Sequence, residues 1–274
     1  MAKIKLGVIV SLRRGNLEEE IEKVHKYGFP TCQVACWDMN LYERDVAHYL
    51  KKLSSKYDVE VTAVWAGLPG KYVWNFIDGP STIGLVPIET REVRVKALKK
   101  ASDFTRDLGV ENIATHVGFI PENPRDPIYI SLIDTLKDVA EYCADNGQFF
   151  LFETGQETPI TLLRTIEDVG ADNLGVNFDP ANLLMYGKAN PVDALDILGK
   201  YVRGVHAKDG EYPTNGRELG KEKPLGEGRV NFPSLISKLK ALGYNGAITI
   251  EREIQGPQQI EDILRAKKIL EGLI

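Results

Sequence analysis

The chain has 274 residues, 43% hydrophobic and 27% charged, with a formal net charge of −5 and a pI near 5.6. That is an ordinary folded-protein composition, and the acidic balance argues against a nucleic-acid or anionic-membrane partner, which would call for a basic surface. No run approaches the ~20 apolar residues of a membrane helix, MAKIKLGVIV is too short for a signal segment with its cleavage site, and three cysteines (Cys32, Cys36, Cys143) fit a reducing, cytoplasmic setting.

Strand and helix patterns then alternate with a period of roughly 30 residues, the size of a βα unit. KLGVIVSL (5–12) predicts a first strand, followed by a helix over Leu17–Tyr27 with Leu17, Ile21 and Val24 on one stripe. TCQVACW (31–37) precedes a helix over Glu43–Lys56. VEVTAVWAG (59–67) precedes a long loop and a helix over Thr90–Leu108 whose apolar stripe reads Val93, Ala97, Ala101, Phe104, with charged residues opposite. NIATHVG (112–118), QFFLFET (148–154) and LGVNFD (174–179) are followed by helices over Ile128–Asp145, Pro159–Val169 and Pro191–Leu198. VRGVHAK (202–208) and GAITIERE (246–253) precede Phe232–Leu242 and Pro257–Leu273.

Most of these strands are continuous apolar runs, as expected of parallel strands buried on both faces. Asn16 and Thr158 occupy N-cap positions, and Gly28, Gly109, Gly147, Gly170 and Gly243 stand where helices stop. Cys32 and Cys36 share one strand face and read as core thiols.

Eight strands alternating with eight helices predict a single (β/α)8 TIM barrel spanning 1–274, with a doubly wound open sheet as the alternative. No G-x-G-x-x-G follows the first strand. The long loops 67–89, 119–127, 180–190 and 209–230 all fall on the C-terminal face of such a barrel, where active sites form.

Four polar residues end the last four apolar runs: Glu153 in FLFET, Asp179 in GVNFDP, His206 in GVHAKD and Glu251 in AITIERE. Buried carboxylates need a partner or a metal. Four of these groups on neighbouring strand ends therefore predict one divalent-cation site. Three carboxylates and one imidazole, with no thiolate, favour Mn²⁺, Mg²⁺ or Co²⁺, with Zn²⁺ a further option. Two coordination positions would remain for adjacent oxygens of a sugar, and the ion would act as a Lewis acid on its carbonyl.

With FDPANL, VHAKD, GEGRVNF and TIERE around it, this quartet resembles the sugar isomerase/epimerase superfamily of xylose isomerase-like TIM barrels. That group includes ketose 3-epimerases, hydroxypyruvate isomerases, inosose dehydratases and endonuclease IV. The resemblance implies that Glu153 and Glu251 bind metal and also shuttle a proton, while Asp179 and His206 only ligate. The implied reaction is proton transfer next to a carbonyl through a metal-stabilised enediolate, giving epimerisation or aldose–ketose isomerisation.

His116 matches the superfamily's H-x-G and is a candidate to touch substrate or a metal ligand. Lys208, two residues after His206, faces the same way and would meet a substrate oxygen, or pair with Glu251 or Asp209. Trp65, and Trp37 beside it, offer platforms for a sugar face. Asn182 stands among the substrate-contacting candidates, where the nuclease pattern and several 3-epimerases have histidine. Glu253 is expected inward, Arg252 outward, and Glu157, close to Glu153, as a helix N-terminal carboxylate or, alternatively, a group that orients substrate. Gly226-x-Gly228 reads as a tight turn that shapes the site through the backbone.

The histidine-rich nuclease site is missing: His25 and His48 lie on predicted helices. The substrate expected is a small carbohydrate or keto acid, and Lys208, Lys71 and Arg217 are available for a phosphate. The alternatives are a dehydratase using the same metal and, more distantly, a non-catalytic sugar-binding barrel. Association into a homo-oligomer is open.

Overall fold

Eight parallel strands close into a barrel in the computed structural model, which describes residues 4–274. They are β1 (Lys5–Leu12), β2 (Thr31–Cys36), β3 (Glu60–Ala66), β4 (Asn112–Thr115), β5 (Phe149–Glu153), β6 (Leu174–Phe178), β7 (Val202–Ala207) and β8 (Ala247–Ile250). Each pairs with its sequence neighbour, and β8 pairs with β1 through Lys5↔Ala247 to Val8↔Ile250. One helix follows each strand on the outside: α1 (Leu17–Lys26), α2 (Arg44–Tyr57), α3 (Ile88–Leu108), α4 (Pro127–Asp145), α5 (Pro159–Val169), α6 (Pro191–Leu198), α7 (Phe232–Ala241) and α8 (Pro257–Glu271). The (β/α)8 architecture expected from the alternation is therefore present. Short helices at Gly79–Thr82 and Pro180–Met185, and a two-stranded ribbon pairing Asp209–Gly210 with Glu222–Lys223, order three of the long loops.

Side-chain alternation divides each strand between two cores. Phe150, Phe152, Val176 and Phe178 point outward into the layer beneath the helices. Ala35, Trp65, Ala114 and Leu151 point inward, with Ile9 and Phe149 packed against them. Both faces are buried, so the sequence shows runs rather than alternation. The inward layer above is polar: Gln33, Asn177 and His206 are all but fully buried. Gly204 makes room for it, since a Cβ there would lie 2.5 Å from Asn177 Oδ1.

The strands end earlier than the apolar runs suggest. β4 stops at Thr115 and β7 at Ala207, so His116 and Lys208 lie just past the ladder. Thr158 caps α5 by accepting the Thr161 N–H, and Gly109 and Gly170 end α3 and α5 in left-handed conformation. Asn16 does not cap α1. Its Oδ1 accepts the Arg13 N–H and its Nδ2 donates to the Ser11 carbonyl, closing the β1–α1 turn. The helix start relies on the acidic run Glu18–Glu20 instead. All three cysteines are buried and free.

The stripe expected on α3 is displaced. Val93 is exposed, and the inner face carries Arg91, Arg94, Leu98, Ala101, Phe104 and Leu108. Charged residues on this face escaped the apolar periodicity because their partners are mostly backbone carbonyls of a loop, with the Ser131 hydroxyl a further one for Arg91. Arg94 is 0% exposed and donates to the carbonyls of Pro69, Lys71, Thr82 and Gly84, while its guanidinium lies 4.7 Å from the Tyr72 ring centroid. Arg91 does the same for Leu85 and Val86. These two arginines fix the β3–α3 loop over the barrel mouth. Arg94→Met leaves those buried carbonyls unpaired, and urea unfolding should show a loss on the order of 4 kcal/mol. An unchanged midpoint would refute this role.

Candidate metal centre at the barrel mouth

Inward alternation delivers one polar side chain from each of four neighbouring strands. Glu153 closes β5, Asp179 follows β6, His206 is the penultimate residue of β7 and Glu251 follows β8. One ligand atom from each lies within 4.8 Å of the other three. His206 Nδ1 is 3.3 Å from Glu153 Oε1, 3.6 Å from Asp179 Oδ2 and 3.1 Å from Glu251 Oε2. Three of these atoms, Asp179 Oδ2, His206 Nδ1 and Glu251 Oε2, are buried without a hydrogen-bond partner. Orphaned buried polar atoms are rare and call for an explanation. Here they converge on one point, and hard oxygen donors with one imidazole suit a divalent cation there. The residues present fit the metal that the sequence led us to expect.

Each donor is aimed by a second contact. Asp179 Oδ1 accepts the Asn182 N–H and caps the Pro180–Met185 helix, which leaves Oδ2 for the cluster. The Asp-Pro turn and the aiming of Oδ2 into the cluster are thus one device. His206 Nε2 lies 2.5 Å from Gln33 Oε1 and 3.0 Å from Asn177 Nδ2, and Gln33 Nε2 donates to Asn177 Oδ1. A proton on Nε2 directed at Gln33 Oε1 leaves the Nδ1 lone pair facing the carboxylates. Glu153 Oε2 accepts the Trp65 indole N–H, while its Oε1 faces His116 Nε2 at 3.5 Å and Asn182 Nδ2 at 3.5 Å.

Lys208 completes the cluster. Its buried ammonium is 3.4 Å from Glu251, 3.8 Å from Asp179 and 3.1 Å from Glu253, and donates to Asn182 Oδ1. Of the two pairings considered from sequence, the one with Glu251 forms and the one with Asp209 does not. Asp209 instead accepts the backbone N–H groups of Gly226, Gly228 and Val230, pinning the Gly-x-Gly turn. Glu253 points inward and Arg252 outward to Glu222 and Asp262, as alternation predicts. Lys71 and Arg217 are exposed and do not line the cleft.

The charges hold one another in place. Burial alone would raise Glu153 and Glu251, but His116 and His206 hold the first below the usual carboxylate range, and Lys208 and His206 hold the second well below it. Burial lifts Asp179 despite Lys208 nearby. Burial opposes the charge on His206 and Lys208, yet the surrounding carboxylates raise both well above their ordinary values. The carboxylates around His206 therefore favour its doubly protonated form.

Glu157 departs from the expected helix N-terminal role. Thr158 caps α5, and Glu157 is 3% exposed with Oε1 unpaired, so burial pushes its carboxyl up to about 8. The folded chain keeps that proton while the unfolded chain ionises near 4.5. Stability from this group is therefore full below pH 4.5 and is lost as the pH rises to 8, at about 1.4 kcal/mol per unit. Glu157→Gln should flatten that slope in chelator-treated protein; urea midpoints at pH 5 and pH 8 that fall equally in both forms would contradict it.

Sequence reading did not single out Gln33, Asn177 or Trp74. The first two carried a signal: each is a lone amide inside an apolar strand, on the inward parity shared with His206. Trp74 sits in the β3–α3 loop and meets His116 at 5.2 Å between ring centroids. Trp74, Trp65, Trp37 and His116 wall a cleft of about 710 Å³ that reaches Glu153 and Glu251.

A model of the xylose isomerase-like TIM barrel family matches residues 21–271. The chain belongs to that family. Among solved structures, a xylose isomerase domain protein from Planctomyces limnophilus superposes on this barrel with a TM-score of 0.94 at 36% identity, covering 99% of this chain and 97% of that one. A D-tagatose 3-epimerase-like protein gives a TM-score of 0.76 at 25% identity, covering 98% and 97%. Among curated proteins, the inosose dehydratase of Geobacillus thermodenitrificans is 23% identical over 268 residues, 86% of this chain and 82% of its own. Within this xylose isomerase-like barrel no helix among the described residues is long and apolar enough to cross a membrane.

Proposed function

We propose that this chain is a divalent-metal-dependent isomerase or epimerase of a sugar or sugar derivative. The observation that carries the reading is the convergence of Glu153, Asp179, His206 and Glu251 with three orphaned donor atoms at the end of an open cleft. Similarity to the D-tagatose 3-epimerase-like protein supports it. These four residues would hold Mn²⁺, Mg²⁺, Co²⁺ or Zn²⁺, which when bound supplies Lewis-acid polarisation of a substrate carbonyl.

The chain's own groups would do the rest. Glu153 on β5 and Glu251 on β8 flank the cluster, with the other two ligands between them on the rim. One glutamate takes the proton from the carbon next to the carbonyl, and the other returns one from the opposite side. The Trp65 indole and the Lys208 ammonium hold those carboxylates in place and ionised. Lys208, Asn182 and His116 would bond substrate oxygens, and Trp65 would cover an apolar edge.

A panel of ketoses, aldoses and inososes with Mn²⁺-loaded protein in deuterated water tests this. NMR should show deuterium entering at one carbon and a new sugar of equal mass apart from that label, both lost with chelator. Activity indifferent to chelation would sink the reading.

A dehydratase is the second reading, favoured by the inosose dehydratase relative and by the buried Lys208 ammonium beside Glu251, which can protonate a departing hydroxyl. A product lighter by one water would select it. Binding with neither exchange nor turnover would mark a non-catalytic sugar-binding barrel.

A further inference from the structure

The cleft is larger than one sugar ring requires, and its lining continues well past the four-residue cluster, as far as Val24 of α1 and Ile263 of α8. From the metal cluster it runs across the end of β1, between Trp37, which follows β2, and the β8–α8 segment at Gln255 and Gln259. Since β1 lies between β2 and β8 in the barrel, these groups flank one strand end. At about 710 Å³ the cleft sits in the upper part of the ~300–1,000 Å³ range of ligand sites.

One wall of this extension is aromatic. Trp37 leaves 45% of its surface exposed although its ring is fixed by Trp65 and Tyr72, with centroids at 5.0 and 5.1 Å. Gly67 allows the ring to lie there: a Cβ at that position would meet the Trp37 ring and Cα at 2.8 Å. Trp74, 42% exposed, extends the same wall through Tyr72. Polar side chains line the same cleft at the β1 end and around the start of α8. The Arg13 guanidinium and the Gln255 carboxamide have no intramolecular hydrogen bond among the described residues, and Gln259 uses only its Nε2, on the Arg252 carbonyl. A rigid aromatic face in one cleft with unengaged donors and acceptors is the chemistry that holds a pyranose, whose C–H face stacks while its rim of hydroxyls hydrogen-bonds.

Resting on the sugar-enzyme reading above, we infer that the cleft takes a two-ring substrate: one sugar unit at the four-residue cluster and a second, glycosidically linked pyranose laid on Trp37 and bonded by Arg13, Gln255 and Gln259. This makes Trp37 a specificity-determining residue outside the reacting centre. It narrows the substrate class to glycosides of the reacting sugar. No bond is made or broken at the second ring, which contributes binding alone.

Calorimetric titration of the Mn²⁺-loaded full chain compares fructose with two glucosyl-fructoses, isomaltulose and turanose. At least one disaccharide should bind about tenfold more tightly than fructose. In Trp37→Ala that ratio should fall to near one, Trp37→Phe should restore much of it, and Arg13→Ala should reduce it, with circular dichroism confirming folding. A disaccharide that never exceeds fructose, or an advantage untouched in Trp37→Ala, overturns the inference. Manganese binding, followed by electron paramagnetic resonance, and deuterium entry into fructose keep the two levels apart. If both persist while the disaccharide advantage is missing, the two-ring inference alone falls. If the chain takes neither Mn²⁺ nor any sugar, the inference falls together with the reading beneath it.

Discussion

Glu153→Gln and Glu251→Gln are each expected to lower turnover by about 10²–10⁴-fold, the usual loss when a positioned general acid or base is removed. Glutamine keeps the shape and one oxygen donor, so the manganese content of both variants should stay measurable. The two should differ in what remains. Glu153 sits among donors (the Trp65 indole, His116 Nε2, Asn182 Nδ2), and Glu251 faces the Lys208 ammonium. Losing either removes proton transfer on one side of the reacting carbon and leaves the other side served. Epimerisation should vanish in both, while NMR in deuterated water should show exchange surviving for opposite epimers in the two variants. Full exchange of both epimers in both variants would refute the acid/base assignment. Glu153→Gln carries an extra cost, because a carboxamide that turns its NH₂ toward Trp65 sets two donors against each other.

The barrel was legible because its strands and helices obey periods that burial imposes. Continuous runs such as FFLF mark strands covered on both sides, and Gly109 and Gly170 mark helix ends. The four donors were legible for a related reason. A carboxylate at the end of a buried run has nowhere to put its charge, and four such ends in consecutive units must meet if the sheet closes. What stayed hidden depends on contacts between distant segments. Nothing near Arg94 in sequence announces that the carbonyls of Pro69, Lys71, Thr82 and Gly84 surround it. That the Trp65 indole N–H bonds Glu153 was hidden because the two lie 88 residues apart. Glu157 looked like a helix-start charge because sequence cannot show that its position is sealed from water. Gln33 and Asn177 fall between these cases: alternation puts such positions inside, but only the fold shows that both amides meet the imidazole Nε2.

Those two amides make the imidazole a graded test of the metal centre. His206→Ala removes a donor outright, so it should strip the site of stoichiometric manganese at micromolar concentrations. Gln33→Ala keeps all four donors but frees the ring and its Nε2 proton. Outer-shell losses of this kind cost about 10–100-fold in metal affinity. The ordering wild type, then Gln33→Ala, then His206→Ala is therefore expected from titration calorimetry. Glu153 and Glu251 outweigh the effect of burial and favour a second proton on the metal-free imidazole. A cation entering the site must displace it, so binding should release protons and weaken as the pH falls. Titrations in two buffers of different ionisation enthalpy read that release directly, and His206→Ala should abolish its imidazole share along with the tight site. Equal affinities for wild type and Gln33→Ala would show that the ring is held by packing alone. Tight manganese binding by His206→Ala would place the ion elsewhere.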